Sequence, residues 1–157
     1  HSHCLARSLR KHMAPPPSES DLPAPMKLQP DRSDSPTILG YGPGWIGIGH
    51  EGVAQKIEHS LLIGSRGEKT DWQCRRFEDL NAAHFEQLAA LKPELVLFGS
   101  GERLRFAPPQ LLAGLMALRI GVETMDTVAA CRTYNILAGE GRHVIAALLL
   151  EQPHGPA

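Results

Sequence analysis

The chain has 157 residues, 16 Lys and Arg against 17 Asp and Glu, and a formal net charge of −1, which removes any general electrostatic reason to bind nucleic acid or an anionic membrane. That length supplies one domain and a tail rather than two domains. Three scattered cysteines, Cys4, Cys74 and Cys131, form no CxxC pair and so provide neither a disulfide framework nor a zinc motif, which points to a reducing cytoplasm.

Residues 1–36 hold seven of the thirteen prolines, with Ser and Asp between them, so no periodic core-facing element is expected there. We read this segment as a disordered Pro-rich tail or an added extension. Arg7, Arg10 and Lys11 occur without an acid among the first twelve residues, a mild transit-peptide feature. Its weak apolar periodicity favours a tag remnant or an upstream extension ahead of Met13 or Met26. His1, His3, Cys4 and His12 are read as incidental rather than as a metal site.

Order is expected from Thr37, where TILGYGPGWIGIG places two apolar runs around Gly42-Pro43-Gly44, a hairpin signal. Gly47 and Gly49 share a strand face with Trp45 and suit close approach of another layer better than a phosphate cradle. Val53 to Ile63 alternates as one strand with a wet face, which directs His59 inward. After a turn at Gly64–Gly67, Thr70–Cys74 pairs back with Trp72 and Cys74 on one face. Asn81–Leu91 is a short helix with Leu80, His84, Leu88 and Leu91 on its stripe and Pro93 as its stop. Glu94-LVLFGSG is an apolar strand of the doubly buried kind, followed by a helix from Pro108-Pro109 to about Arg119.

Gly121 leads into a strand over VETM, and Asp126 caps a helix ended by Gly139 and Gly141. Val144–Leu150, seven apolar residues, is the closing strand, far short of the roughly 20 residues that span a bilayer. Strand, helix, strand, helix, strand over 94–150 is the signature of parallel crossovers. The hairpin-rich first half then extends that sheet or covers it with a second β layer. This gives 37–150 as a single α/β domain and 151–157 as a flexible C-terminus.

Ligands of crossover sheets bind beyond the carboxyl ends of parallel strands. Two such ends are Gly99-Ser100-Gly101 and Met125-Asp126. On the helix that follows, Ala129, Ala130, Thr133, Ile136 and Leu137 form one face, assigned to the core, with Cys131, Arg132 and Asn135 on the other half. If that half lines a cleft, Arg132, Asn135 and Ser100 offer a fork, an amide and a hydroxyl to a carboxylate or phosphate. The plainer reading pairs Arg132 with Glu102, Glu123 or Glu140, makes Cys131 a packed thiol, and leaves Asp126 as a cap. GSGERL begins like a dinucleotide fingerprint, with Glu123 in the acid's place. Leu104 replaces the third glycine, however, and Phe106–Pro109 delay the helix.

MDTVAACRTYNIL followed by EGRHVIAALL, with the GSG loop upstream, resembles the domain-of-unknown-function 498 family of bacterial and archaeal proteins, to which a mitochondrial complex I assembly factor is related. The resemblance runs from about Thr37 to Leu150. Gly99 and Gly101 match its glycine loop, where threonine is expected in place of Ser100, and Asp126, Cys131, Arg132, Thr133 and Asn135 match its strand-to-helix motif. It implies a three-layer α/β sandwich with a mixed, partly parallel sheet, and it implies no cofactor. With no acid, base and metal set visible, the expectation is a non-enzymatic accessory or assembly-type protein acting through protein contacts. The alternative is an anionic small-molecule site or enzyme built on Gly99, Ser100, Gly101, Asp126, Arg132 and Asn135.

Overall fold

The structure, a computed structural model, describes residues 35–152. Readings of 1–34 and 153–157, including the candidate extension and its histidines, lie outside the described residues. In chain order the strands are β1 (Thr37–Gly42), β2 (Trp45–His50), β3 (Val53–Ile57), β4 (Leu61–Gly64), β5 (Lys69–Asp71), β6 (Leu95–Gly99), β7 (Gly121–Met125) and β8 (Val144–Leu148). The α-helices are α1 (Ala82–Ala89), α2 (Ala113–Ala117) and α3 (Thr127–Gly139), with 3-10 turns at Phe77–Asp79 and Pro109–Leu112.

Two sheets form: β1-β2-β3, all antiparallel, and a mixed five-stranded sheet ordered β5-β4-β8-β6-β7. Within the latter, β6 runs parallel to both β7 and β8, and β4 is antiparallel to β8 and β5. The expected crossovers are therefore present. Both fates offered for the first half are realised, because β4 and β5 extend the sheet while β1–β3 cover it.

Alternation along the central strands distributes the core to both faces. Leu62, Val96, Phe98, Ile145 and Ala147 meet Trp72, Phe85, Leu88 and Leu115 on one side. Leu61, Ile63, Leu97, Val144, Ala146 and Leu148 meet Ile38, Ile46, Ile48 and Ile57 of the small sheet and Ala130, Cys131 and Tyr134 of α3 on the other. Phe98 lies among the rings of Trp72, Phe77 and Phe85, edge-on to two of them with centroids 6.1 and 5.5 Å away, an arrangement that suits the aromatic quadrupole.

Several expectations shift. Val53–Ile63 is two strands in different sheets, not one, because Glu58–Ser60 carries the chain across; His59 is consequently exposed, with Nδ1 3.2 Å from Asp71. His84 lies at the edge of the core, as its place on the stripe implies, with its ring edge-on to Trp72 (centroids 5.9 Å apart), and it is also the third helical residue of α1. Its Nδ1 accepts from the Asn81 N–H (3.0 Å) while Asn81 Oδ1 accepts from the His84 N–H (3.2 Å), a reciprocal capping box. The glycines of the hairpin are covered not by another layer but by the Trp45 ring, which lies over Gly42 and Gly47, and by Leu39 over Gly49. Helix α3 is rotated from expectation: Thr127, Ala130, Cys131 and Tyr134 are inside and Ile136 is exposed. Ser35 and Gln152, assigned by sequence to the tails, bond to the Ser65 carbonyl (2.6 Å) and the Glu58 carbonyl (2.6 Å).

Phe98→Ala removes the ring shared by three aromatic neighbours and is expected to cost about 3–5 kcal/mol of unfolding free energy. Urea denaturation checks this, and a loss under about 1 kcal/mol contradicts the packing described.

Candidate functional site

The carboxyl ends of β6, β7 and β8 converge on Gly99-Ser100-Gly101 and the first turn of α3. Gly99 lacks a side chain because a Cβ there would stand 3.0 Å from the Thr127 Cα and 3.2 Å from the Ala130 Cβ. Close helix–strand approach lets Thr127 act as a clasp. Its hydroxyl donates to the Leu149 carbonyl (2.8 Å) and accepts from the Gly101 N–H (2.9 Å), while its own N–H donates to the Gly101 carbonyl (2.8 Å). Gly101 sits at φ +106°, a conformation glycine adopts at little cost.

Ser100 is fully buried. Its hydroxyl has one proton, directed at the Arg103 carbonyl (2.8 Å) in preference to the Met125 carbonyl (3.2 Å), and it accepts from the Arg105 N–H (2.9 Å). Asp126 caps α3 as expected, accepting from the Ala129 N–H at 2.8 Å. Gly99, Ser100, Gly101 and Asp126 are thus brought together, with their polar groups engaged by the protein itself.

Arg132 and Asn135 point elsewhere. Asn135 Oδ1 accepts from the Ile38 N–H (2.9 Å) and Nδ2 donates to the Ile38 carbonyl (2.8 Å), so one amide satisfies both backbone groups of a β1 residue. Arg132 Nε donates to the Tyr41 hydroxyl (3.0 Å). None of Glu102, Glu123 and Glu140 lies within ion-pair distance of Arg132 among the described residues. Both side chains tie α3 to the hairpin rather than to the glycine loop.

Two pairs escaped the sequence reading. Arg105 folds back beneath the loop, donating through Nη2 and Nε to the Ser100 carbonyl (2.7 and 3.2 Å) and forming an ion pair with Glu151. Glu151 also accepts from the Phe77 N–H (2.8 Å), and the Arg105 guanidinium lies 4.6 Å from the Phe77 ring centre. The available signal was a lone charge within LRFAPP; alternation puts Arg105 inside and leaves Leu104 and Phe106 52% and 69% exposed. At the opposite end of the sheet, buried His143 bonds through Nε2 to Glu68 (2.9 Å). Gly64 makes room for that carboxylate, because a Cβ there would overlap it.

Burial pushes the Cys74 thiol up to about 11 and the Cys131 thiol up to about 12, so neither is a ready nucleophile. Burial, with the Glu68 charge as a lesser cause, likewise raises the Tyr134 hydroxyl, which donates to the Pro36 carbonyl at 2.7 Å.

The model of the family described as protein of unknown function (DUF498/DUF598) matches residues 38–149. The chain belongs to this family. Among DUF498/DUF598 relatives, an uncharacterised protein of Rhodobacter capsulatus is 36% identical over 112 residues, 71% of this chain and 82% of that protein. NADH dehydrogenase [ubiquinone] 1 alpha subcomplex assembly factor 3 of Bos taurus is 35% identical over 88 residues, 55% of this chain; the match spans only 47% of the bovine protein's length. A crystal structure from Bordetella parapertussis superposes with a TM-score of 0.67 at 37% identity, covering 74% of this chain and 97% of that one. The α/β architecture is thus shared with that Bordetella protein.

Gly99→Ala is expected to force α3 away from β6 and cost about 1–3 kcal/mol. Gly139→Ala, with nothing within 4 Å of its Cβ position, is expected to stabilise or change little, within about 1 kcal/mol. Chemical denaturation of the two variants side by side checks the contrast.

The raised thiols make a second expectation. Their ionisation is suppressed in the folded state, so they contribute stability that is complete below the ordinary thiol value of about 8.5 and is lost as pH climbs toward their folded values. Denaturation midpoints are expected to fall from pH 8 to pH 10.5, less steeply in Cys131→Ala. Two further thiols should become reactive to Ellman's reagent only when denaturant is added.

Proposed function

We propose that this protein is a non-enzymatic accessory factor that acts through protein contacts during assembly of a larger complex, in the cytoplasm. The observation that carries the reading is the similarity to assembly factor 3, which recurs at 31–35% identity in bovine, frog, mouse and human sequences. Supporting it, the polar groups at the strand ends are committed to holding loop, helix and sheet together. In addition, several large apolar side chains stand at the surface, Phe106, Met116 and Ile136 among them, as contact surfaces often present. Within the described residues no helix is long and apolar enough to cross a membrane.

The rival reading, an anionic small molecule held by Gly99, Ser100, Gly101 and the Asp126 helix start with help from Arg132 and Asn135, requires Ser100 and Arg132 to exchange their present partners for the ligand. One experiment separates the two. The full chain, tagged and expressed in its native host, is crosslinked in vivo, while the purified chain is screened by thermal shift against anionic metabolites. We expect reproducible crosslinks to a defined set of proteins and no stabilising metabolite. Recovery of the chain without any specific partner, together with a metabolite whose effect vanishes in Ser100→Ala, overturns the proposal.

A further inference from the structure

Helix α3 is apolar on two sides. Its inner side is the core face of Thr127, Ala130, Cys131 and Tyr134. Its outer side carries Val128, Arg132, Ile136 and, at the C-cap, Glu140, and every one of them is exposed, Ile136 to 60%. A helix that faces water normally places charged residues along its outer side. Here Arg132 is the sole charged residue between Thr127 and Gly139.

Arg132, Ile136 and Glu140 are spaced i, i+4, i+8 and form one ridge with a positive end, an apolar middle and a negative end. Reversing the ridge end for end about Ile136 superimposes each charge on its opposite. Antiparallel packing of two such ridges brings Ile136 against Ile136, and each Arg132 against the Glu140 of the other copy. Crossing of i±4 ridges is the commonest way helices pack, and a two-fold contact of this kind is self-complementary. Among the described residues Arg132 bonds through Nε alone, to Tyr41, which leaves both terminal amino groups for a two-pronged bond to a carboxylate.

We propose that the outer ridge of α3 is the contact between two copies of this chain, closed by two Arg132–Glu140 pairs around Ile136. The contact is small and its ion pairs lie at a wet rim, so the dimer is weak, reversible and sensitive to salt.

Sedimentation velocity of the full chain over a concentration series tests this. The expected result is a monomer–dimer equilibrium that Arg132→Glu and Glu140→Arg each weaken by about tenfold or more, since either substitution alters both symmetry-related pairs. The combined Arg132→Glu/Glu140→Arg chain is expected to regain the original association, and Ile136→Ser to lose it. Tyr41→Phe, which removes the internal bond and keeps the charge, is expected to dimerise normally. Circular dichroism confirms that each variant is folded; should Arg132→Glu unfold, Glu140→Arg and Ile136→Ser decide the matter. A chain that stays monomeric throughout the series overturns the proposal and leaves the ridge to another protein. So does a dimer that ignores these substitutions, which places the contact elsewhere.

Discussion

Everything in this fold answers to β8, a strand whose five residues are all buried. Val144, Ala146 and Leu148 face one way and Ile145 and Ala147 the other, so neither side of the sheet tolerates water and a covering layer is needed on each. One cover is made from the aromatic cluster with α1 and α2. The other is a composite of α3 and the small β1-β2-β3 sheet, held edge to edge by Asn135 and Arg132. The middle layer thereby dictates the use of residues that otherwise resemble a binding set.

That constraint explains why the strand ends are so fully bonded. In many crossover sheets the helix N-terminus beyond a parallel strand offers open amides to a ligand. Here the Gly101 carbonyl, the Thr127 hydroxyl and the Asp126 carboxylate supply internal partners, and among the described residues no buried side-chain polar atom is left unmatched. The same atoms that build a ligand cradle in one protein can fasten a helix in another. The distinction lies in where the hydrogen bonds end, not in residue type.

Much of this was legible from the residues. The hairpin at Gly42–Gly44, the β6-α2-β7-α3-β8 order, the Asp126 cap and the doubly buried LVLF strand all follow from local periodicity and turn chemistry. What escaped was non-local. The break at Glu58–Ser60 arises because β3 and β4 join different sheets, which alternation over a single stretch does not register. The rotation of α3 was hidden by a sequence apolar on both sides, so Ile136 and Cys131 exchanged places. Arg105–Glu151 and His143–Glu68 join residues 46 and 75 positions apart, beyond the reach of any window-based pattern.

The amide of Asn135 has a consequence beyond joining helix to sheet. By filling both the donor and the acceptor of Ile38, it takes the place of a neighbouring strand at one position on the margin of β1. An uncapped margin of apolar, glycine-rich sequence is a template for runaway strand addition. A single side chain therefore helps keep the hairpin from polymerising.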